Sequence, residues 1–324
     1  MLSKILAGAA KIAIGGHVRP DGDCVGSCVG LYQYLRDNYK EKQVDVYLEE
    51  IPNSFQFLHA ASEIRHELRK GEETYDLFIC LDCGDKDRLG FSAPLFERAK
   101  TTFCVDHHIS NTEFAQENYV VADASSTSEL VFHLLDEDKI SLETAEALYL
   151  GIVHDTGVFQ YSAAGPSTFR TAAKLLEKGV DGSKIIRDTY YEKTYAQNQV
   201  LGRALLESIV FMDGKCIASY ITKKTMEFYG ILPKDLEGIV SQLRITRGIE
   251  VAVFMYETEA STYKISLRSN QEVDVSRVAQ YFGGGGHKKA AGCTLTGTPH
   301  DVMNNLSKQI AIQLAAGNRT GENQ

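Results

Sequence analysis

A chain of 324 residues with 44% apolar side chains has enough hydrophobic material for ordinary globular cores, and its length suggests two domains. Its formal charge of −9 lacks the basic footprint that avid duplex DNA binding needs, and no apolar run is long enough to span a bilayer. The charge is uneven, with a net −11 over residues 1–207 and a net +2 over residues 208–324, as expected of an acidic metal-binding half beside a mildly basic half that clamp a small anionic substrate.

Met1 to Ile14 starts with Lys4 in Leu- and Ala-rich sequence. Lys11 interrupts it and no cleavage site precedes His17, so it reads as a short helix feeding a strand rather than a signal peptide. Lys11–Gly16 is that strand. Cys24–Asp37 then has helical spacing at Val25, Cys28, Leu31, Tyr32 and Leu35, and Gln43–Leu48 alternates as a strand. Leu77–Leu81, Thr102–Val105 and Tyr119–Val121 continue the strand series. Ser125–Asp136, Leu142–His154 and Ser167–Lys178 read as helices, the last ended by Gly179.

Asp188–Glu207 is polar, rich in tyrosine and helical, and is expected to bridge the halves. Beyond it, Lys215–Ile221, Ile249–Tyr256 and Thr262–Arg268 read as strands, the last two as a hairpin. Pro233–Ile245, Val273–Tyr281 and His300–Ala316 read as helices. Gly283 to Gly286 opens a loop before the core-like Ala290–Leu295, and Gly317–Gln324 reads as a frayed tail. The expected fold is therefore α/β: a mainly parallel sheet flanked by helices, then a smaller α/β domain with a mixed sheet. The expected boundaries are 1–187, a helical linker over 188–207, and 208–324.

The seven cysteines (Cys24, Cys28, Cys80, Cys83, Cys104, Cys216 and Cys293) form no even, regularly spaced framework, which suggests a reducing, cytoplasmic setting. Cys80 and Cys83 make a C-x-x-C. On a strand, residues three apart point to opposite faces, so neither a shared metal nor a redox role is expected of them.

Four polar clusters sit at the ends of apolar segments: His17 to Asp23, Asp82 to Asp85, Asp106-His107-His108, and His154-Asp155. In an open parallel sheet, ligands bind beyond the carboxyl ends of the strands, so clusters spread over half the chain can meet. Gathered carboxylates and imidazoles repel one another and are costly to desolvate unless cations neutralise them. Hard divalent ions such as Mn²⁺ or Mg²⁺ take carboxylate oxygens, and Mn²⁺ also accepts imidazole. Asp21 and Asp23 lie on one turn and can serve adjacent metals, with His17 joining one of them. Asp82, emerging from a buried strand, would be expensive unpaired and cheap as a bridge. Asp155 can close the second metal's set. Adjacent His107 and His108 diverge, one to metal and one to substrate, and Asp106 can hold a histidine ring from behind. Taken singly, each cluster is better explained as a solvated turn, a helix cap or a surface histidine pair. Together they point to two cations, which at about 3.5–4 Å apart activate a water and clamp a phosphate.

This set resembles the DHH phosphoesterase superfamily, named for the triplet seen here as Asp106-His107-His108. His17-x-x-Pro20-Asp21-x-Asp23 is similar to its first motif, Asp82-Cys83-Gly84-Asp85 to its second, and His154-Asp155-Thr156-Gly157 to its fourth. Gly283 to Gly292 resembles the signature of the DHH-associated C-terminal domain. The motif order and size are most similar to bacterial nanoRNase/pAp phosphatases and stand-alone cyclic-di-AMP or pApA phosphodiesterases. The resemblance implies two Mn²⁺ ions, one on His17, Asp21 and Asp82, the other on Asp23, Asp82, His107 and Asp155. It further implies that Asp82 bridges and that His108 contacts the reacting phosphate and assists the leaving group.

The glycine run has its own physics. Gly284, Gly285 and Gly286 permit close backbone approach and an anion nest, His287 adds charge, and Arg268 can grip a terminal phosphate. A flexible spacer is the plainer reading of such a run, but core-like sequence follows it at once. Arg88 could reach the phosphate or pair with Asp85 or Asp87. Because nothing offers an extended single-strand groove, the expected activity is a 3′-end-acting phosphoesterase on short RNA oligonucleotides, with pAp and cyclic dinucleotides as related substrates. The rival readings are an inorganic pyrophosphatase or polyphosphatase of the same superfamily and a nucleotide-binding sensor without catalysis. A homodimer is compatible with the sequence and not specified by it.

Overall fold

A computed structural model describes residues 2–68, 74–161 and 163–321. The chain divides into two compact units, Met1–Glu192 and Lys193–Gln324. None of the described helices is long and apolar enough to cross a membrane.

The first unit opens with the short helix α1 (Leu2–Ile5) and carries a five-stranded sheet of β1 (Lys11–Gly15), β2 (Gln43–Tyr47), β3 (Leu77–Leu81), β4 (Thr101–Asp106) and β5 (Glu117–Val120). The order is β2-β1-β3-β4-β5 and every pairing is parallel. A parallel sheet must be covered on both faces, and the strand pattern supplies both. Ile12, Ile14, Leu77, Ile79, Leu81, Phe103 and Val105 join one core, while Ala13, Phe78, Cys80 and Cys104 join another. The first core is covered by α2 (Gly22–Asn38), α4 (Thr127–Leu134) and α5 (Leu142–Asp155), the second by α3 (Ala93–Arg98). α6 (Pro166–Glu177) and α7 (Gly182–Ile186) complete the helices of this unit. Because β2 lies on one side of β1 and β3 on the other, the chain reverses its winding between β1 and β3. That is where α/β sheets bind ligands.

α2 and α5 pack antiparallel and unusually close. A Cβ on Gly26 would stand 2.5 Å from the Ala147 carbonyl oxygen and 2.7 Å from the Gly151 nitrogen. This contact brings the start of α2, which carries Asp23, to the end of α5, which carries Asp155.

The second unit holds a mixed six-stranded sheet of β6 (Ile209–Phe211), β7 (Cys216–Ile221), β8 (Val251–Glu259), β9 (Thr262–Ser269), β10 (Gly285–His287) and β11 (Ala290–Thr296). Its order is β10-β11-β9-β8-β7-β6, with only β7 and β8 parallel. α11 (Val275–Tyr281) and α12 (Pro299–Gly321) cover one face. α8 (Tyr195–Leu206), α9 (Lys223–Tyr229) and α10 (Ile239–Arg244) cover the other.

Several expectations change. The single helix expected over Pro233–Ile245 is a 3₁₀ turn at Pro233–Leu236 followed by α10, because Gly238 adopts a left-handed φ of 87°. Residues 188–207 are shared between the units. Arg187–Tyr191 forms a π-helical turn in the first, and Thr194 starts α8 in the second with a capping box to Gln197. β6 and α9 went unseen, being three and seven residues long. α12 runs on to Gly321, where a frayed tail was expected, and residues 322–324 lie outside the described residues. Cys80 and Cys83 do not diverge. Asp82 has φ 55°, which ends the strand and turns Cys83 back into the same core cluster as Cys80, its thiol donating to the Asp85 carbonyl at 2.9 Å.

Gly26→Ala should lower the free energy of unfolding by about 1–3 kcal/mol, the usual cost of overpacking a tight helix contact. Urea unfolding of the two proteins would measure it, and an unchanged midpoint would contradict the close packing.

Candidate metal centre

Each polar cluster leaves the carboxyl end of a strand or the adjoining end of a helix. His17 follows β1, Asp82 follows β3, and His107 and His108 follow β4. Asp21 is the N-cap of α2, its Oδ1 accepting the N–H groups of Asp23 and Cys24 at 3.1 Å, so the helix begins at Gly22 and Asp23 lies in its first turn. Asp82 itself carries the left-handed φ of 55°, a conformation that costs of order 1–3 kcal/mol and is tolerated at functional sites.

Two groups of donors share Asp82. On one side, His17 Nε2 stands 3.4 Å from Asp82 Oδ2 and 3.6 Å from Asp21 Oδ1. On the other, His107 Nε2 stands 3.7 Å from Asp82 Oδ1, 3.4 Å from Asp155 Oδ2 and 4.0 Å from Asp23 Oδ2. His108 Nδ1 also lies 3.7 Å from Asp82 Oδ1. The imidazoles are pre-oriented. Carbonyl oxygens accept the Nδ1–H of His17 (Val18, 2.9 Å) and of His107 (Ala124, 3.3 Å), which leaves each Nε2 aimed at the carboxylates. His108 instead gives its Nδ1–H to Asp106 Oδ1 at 2.7 Å, and Asn111 donates to Asp106 Oδ2 at 2.7 Å.

Burial sharpens the charge problem, since Asp23 and Asp82 are 1% and 2% exposed. Burial and then repulsion by Asp82 and Asp155 push the Asp23 carboxyl well above its ordinary range. Asp155 rises to about 6, because burial and the neighbouring carboxylates outweigh His107. Burial opposes the charge of His17, yet Asp21 and Asp82 override it and raise its pKa to about 12, while Asp21 falls to about 2. A donor set that repels itself and draws protons onto its histidines fits divalent cations.

The eight residues His17, Asp21, Asp23, Asp82, Asp106, His107, His108 and Asp155 thus come together. His154 does not join them. Its ring sits edge-on to Phe55 and Tyr190, its Nε2 meets Thr189 Oγ1 at 2.9 Å, and burial lowers its pKa to about 4. Arg88 lies near enough for its charge to bear on His108 and on the Cys83 thiol.

Sequence reasoning passed over four residues. The Cys24 sulfur falls within 4.8 Å of the His17 and Asp82 donor atoms. Asn111 braces Asp106, and Thr127 and Ser128 donate to the central carboxylates. The Ser126-x-x-Glu129 pattern of a helix N-terminus was the one local signal for the last two.

In the second unit, the expected glycine loop is a strand. Gly285–His287 pairs antiparallel with β11, and Gly286, at φ 139°, stands where a Cβ would meet the Ala290 carbonyl oxygen at 2.5 Å. Gly286 is therefore required by close pairing, as is Gly284, whose Cβ would stand 2.2 Å from the Gly292 carbonyl oxygen, whereas a Cβ on Gly285 would meet open space. Register places His287 opposite Ala290 and Ala290 opposite Arg268. Directly opposed residues share a face, so the Arg268 and His287 side chains flank a small residue about 10 Å apart.

Residues 11–152 match the profile of the DHH family, N-terminal domain, and residues 213–315 match that of the DHHA1 domain. The chain is 30% identical over 293 residues to the bifunctional oligoribonuclease and PAP phosphatase NrnA of Thermus thermophilus, covering 90% of this chain and 86% of that one. The NrnA of Bacillus subtilis is 27% identical over 289 residues, covering 88% of this chain and 89% of that one. The crystal structure of an exopolyphosphatase-related protein from Bacteroides fragilis matches with a TM-score of 0.88 at 28% identity, over 96% of both chains.

In chelator-treated protein, Asp155→Asn should raise the melting temperature at neutral pH. A carboxyl whose pKa rises on folding costs stability once ionised, so the gain should shrink as pH falls from about 6 to 3.8 and vanish below that. Thermal scans across this range test it, and a gain independent of pH would speak against the repulsion.

Proposed function

The chain belongs to the DHH family, its DHH domain followed by a DHHA1 domain, and on that premise we propose that it is a two-metal, Mn²⁺-dependent phosphoesterase. Its substrates are short oligonucleotides, nanoRNA and pApA-type dinucleotides, cleaved from the 3′ end to mononucleotides, with pAp and cyclic-di-AMP as related substrates. The observation that carries this reading is the division of one buried carboxylate, with Asp82 Oδ2 turned to His17 and Oδ1 to His107.

When bound, two divalent ions would supply a nucleophilic water and neutralise the charge of the phosphate. His17, Asp21 and Asp82 would hold one, and Asp23, Asp82, His107 and Asp155 the other. The rest falls to side chains. Asp106 holds the Nδ1–H of His108, raises its pKa and leaves Nε2 as the free edge of the ring. That edge can contact the phosphate and donate a proton to the departing sugar oxygen. Asn111 keeps Asp106 from rotating away. In the DHHA1 domain, Arg268 and His287, with Gly284 and the strand residues Gly285 and Gly286 beside them, would take a phosphate of the nucleotide. The seven unpaired thiols support a cytoplasmic setting.

A panel of pApA, nanoRNA, pAp, cyclic-di-AMP and pyrophosphate with Mn²⁺ tests the reading. Mononucleotide release from pApA is expected. Turnover of pyrophosphate alone, or nucleotide binding with no product under any divalent metal, would overturn it. Asp82→Ala should abolish turnover and loosen both metals, so an active variant would defeat the bridging role. His287→Ala should raise KM about tenfold, the worth of one charge-assisted hydrogen bond, with kcat nearly unchanged.

A further inference from the structure

The first turn of α4 touches both carboxylates at the middle of the metal centre. The Thr127 N–H donates to Asp23 Oδ2 at 2.6 Å and the Ser128 N–H to Asp23 Oδ1 at 2.9 Å. The Thr127 hydroxyl donates to Asp82 Oδ1 at 3.2 Å. That is the oxygen turned toward His107 and His108, so Thr127 grips the half of the bridge that faces the second donor group. Thr127 is fully buried, as are Ser126 and Ser128.

The turn is itself anchored. Ser126 Oγ accepts the Glu129 N–H at 3.0 Å as the N-cap of α4. The Glu129 carboxylate, 3% exposed, accepts the hydroxyls of Ser125 at 2.6 Å and of Thr168, on α6, at 2.9 Å. Burial works against that charge, but its hydrogen-bond donors, with His133 foremost, bring the pKa down to about 2. The hydroxyl of Thr127 therefore projects from a fixed platform.

A bridging carboxylate must keep one oxygen for each cation. Rotation about its Cβ–Cγ bond would turn the carboxyl plane and misdirect both oxygens. Each carboxylate oxygen has two acceptor positions, so Oδ1 can keep the Thr127 hydroxyl and still ligate a metal. We propose that Thr127 is a positioning residue for the bridge: its hydroxyl fixes the plane of Asp82 while its N–H and that of Ser128 clamp Asp23, so both carboxylates are aimed before the cations arrive. The inference rests on reading the site as a two-cation centre.

The test is Mn²⁺ titration calorimetry on wild type, Thr127→Val, Thr127→Ala and Thr127→Ser, with metal content counted by mass spectrometry. Wild type should bind two ions. Thr127→Val should bind at least one of them about 10-fold more weakly, the lower end of the usual cost of losing a group that orients a ligand, while Thr127→Ser stays within about twofold of wild type. Thr127→Ala removes the hydroxyl without adding a methyl group and carries the same expectation should the valine variant not fold. Wild-type affinity and stoichiometry in a folded variant without the hydroxyl would overturn the role of Thr127 and leave the centre intact. A wild-type protein that binds fewer than two ions would overturn the two-cation reading itself.

Discussion

Repulsion among buried carboxylates is the constraint around which the first unit is built. Asp23 and Asp82 are almost wholly buried, and Asp155 joins them across His107. Left to itself, such a cluster would protonate or splay apart. The fold prevents splaying with two N–H groups on Asp23, one hydroxyl on Asp82 and carbonyl anchors behind the imidazoles. It holds the carboxylates together against their mutual repulsion, which costs stability.

The same constraint explains where strain is tolerated. The left-handed backbone at Asp82 releases its side chain from the strand just where β1 and β3 part. It also folds Cys83 back beside Cys80, so a residue pair that looks divergent on an ideal strand packs together. The close contact of α2 with α5 through Gly26 and Gly151 serves the site too, because any looser packing would separate Asp23 from Asp155. The geometry of the polar cluster and the packing of the core are here one problem.

The DHHA1 domain meets a different requirement. Gly285 and Gly286 lie in the edge strand of a mixed sheet, and the lack of a side chain on Gly284 and Gly286 lets this segment lie against the Ala290–Gly292 backbone. A loop with free N–H groups could bind an anion anywhere along its length. A paired strand instead fixes a defined row of side chains, with His287 and Arg268 set across Ala290.

Much of the fold was legible. The apolar runs at Leu77–Leu81 and Thr102–Val105 are long enough only for buried strands, and polar groups at their ends have one place to go in a parallel sheet. Those regularities determined the α/β architecture, the family resemblance and the set of eight polar residues that meet. Local pattern could not show the break at Gly238, the three-residue strand β6 or the pairing of the glycine run, since one left-handed glycine and strands of three residues carry too little periodicity to read. Nor could it show which oxygen of Asp82 faces which histidine, that His154 turns away to Thr189, or that Asn111 and Thr127 brace the carboxylates. Residue types and spacing say which groups are available. Only packing of α2, α4 and α5 on the sheet sets their directions, because a side chain's orientation is chosen by the neighbours that bury it.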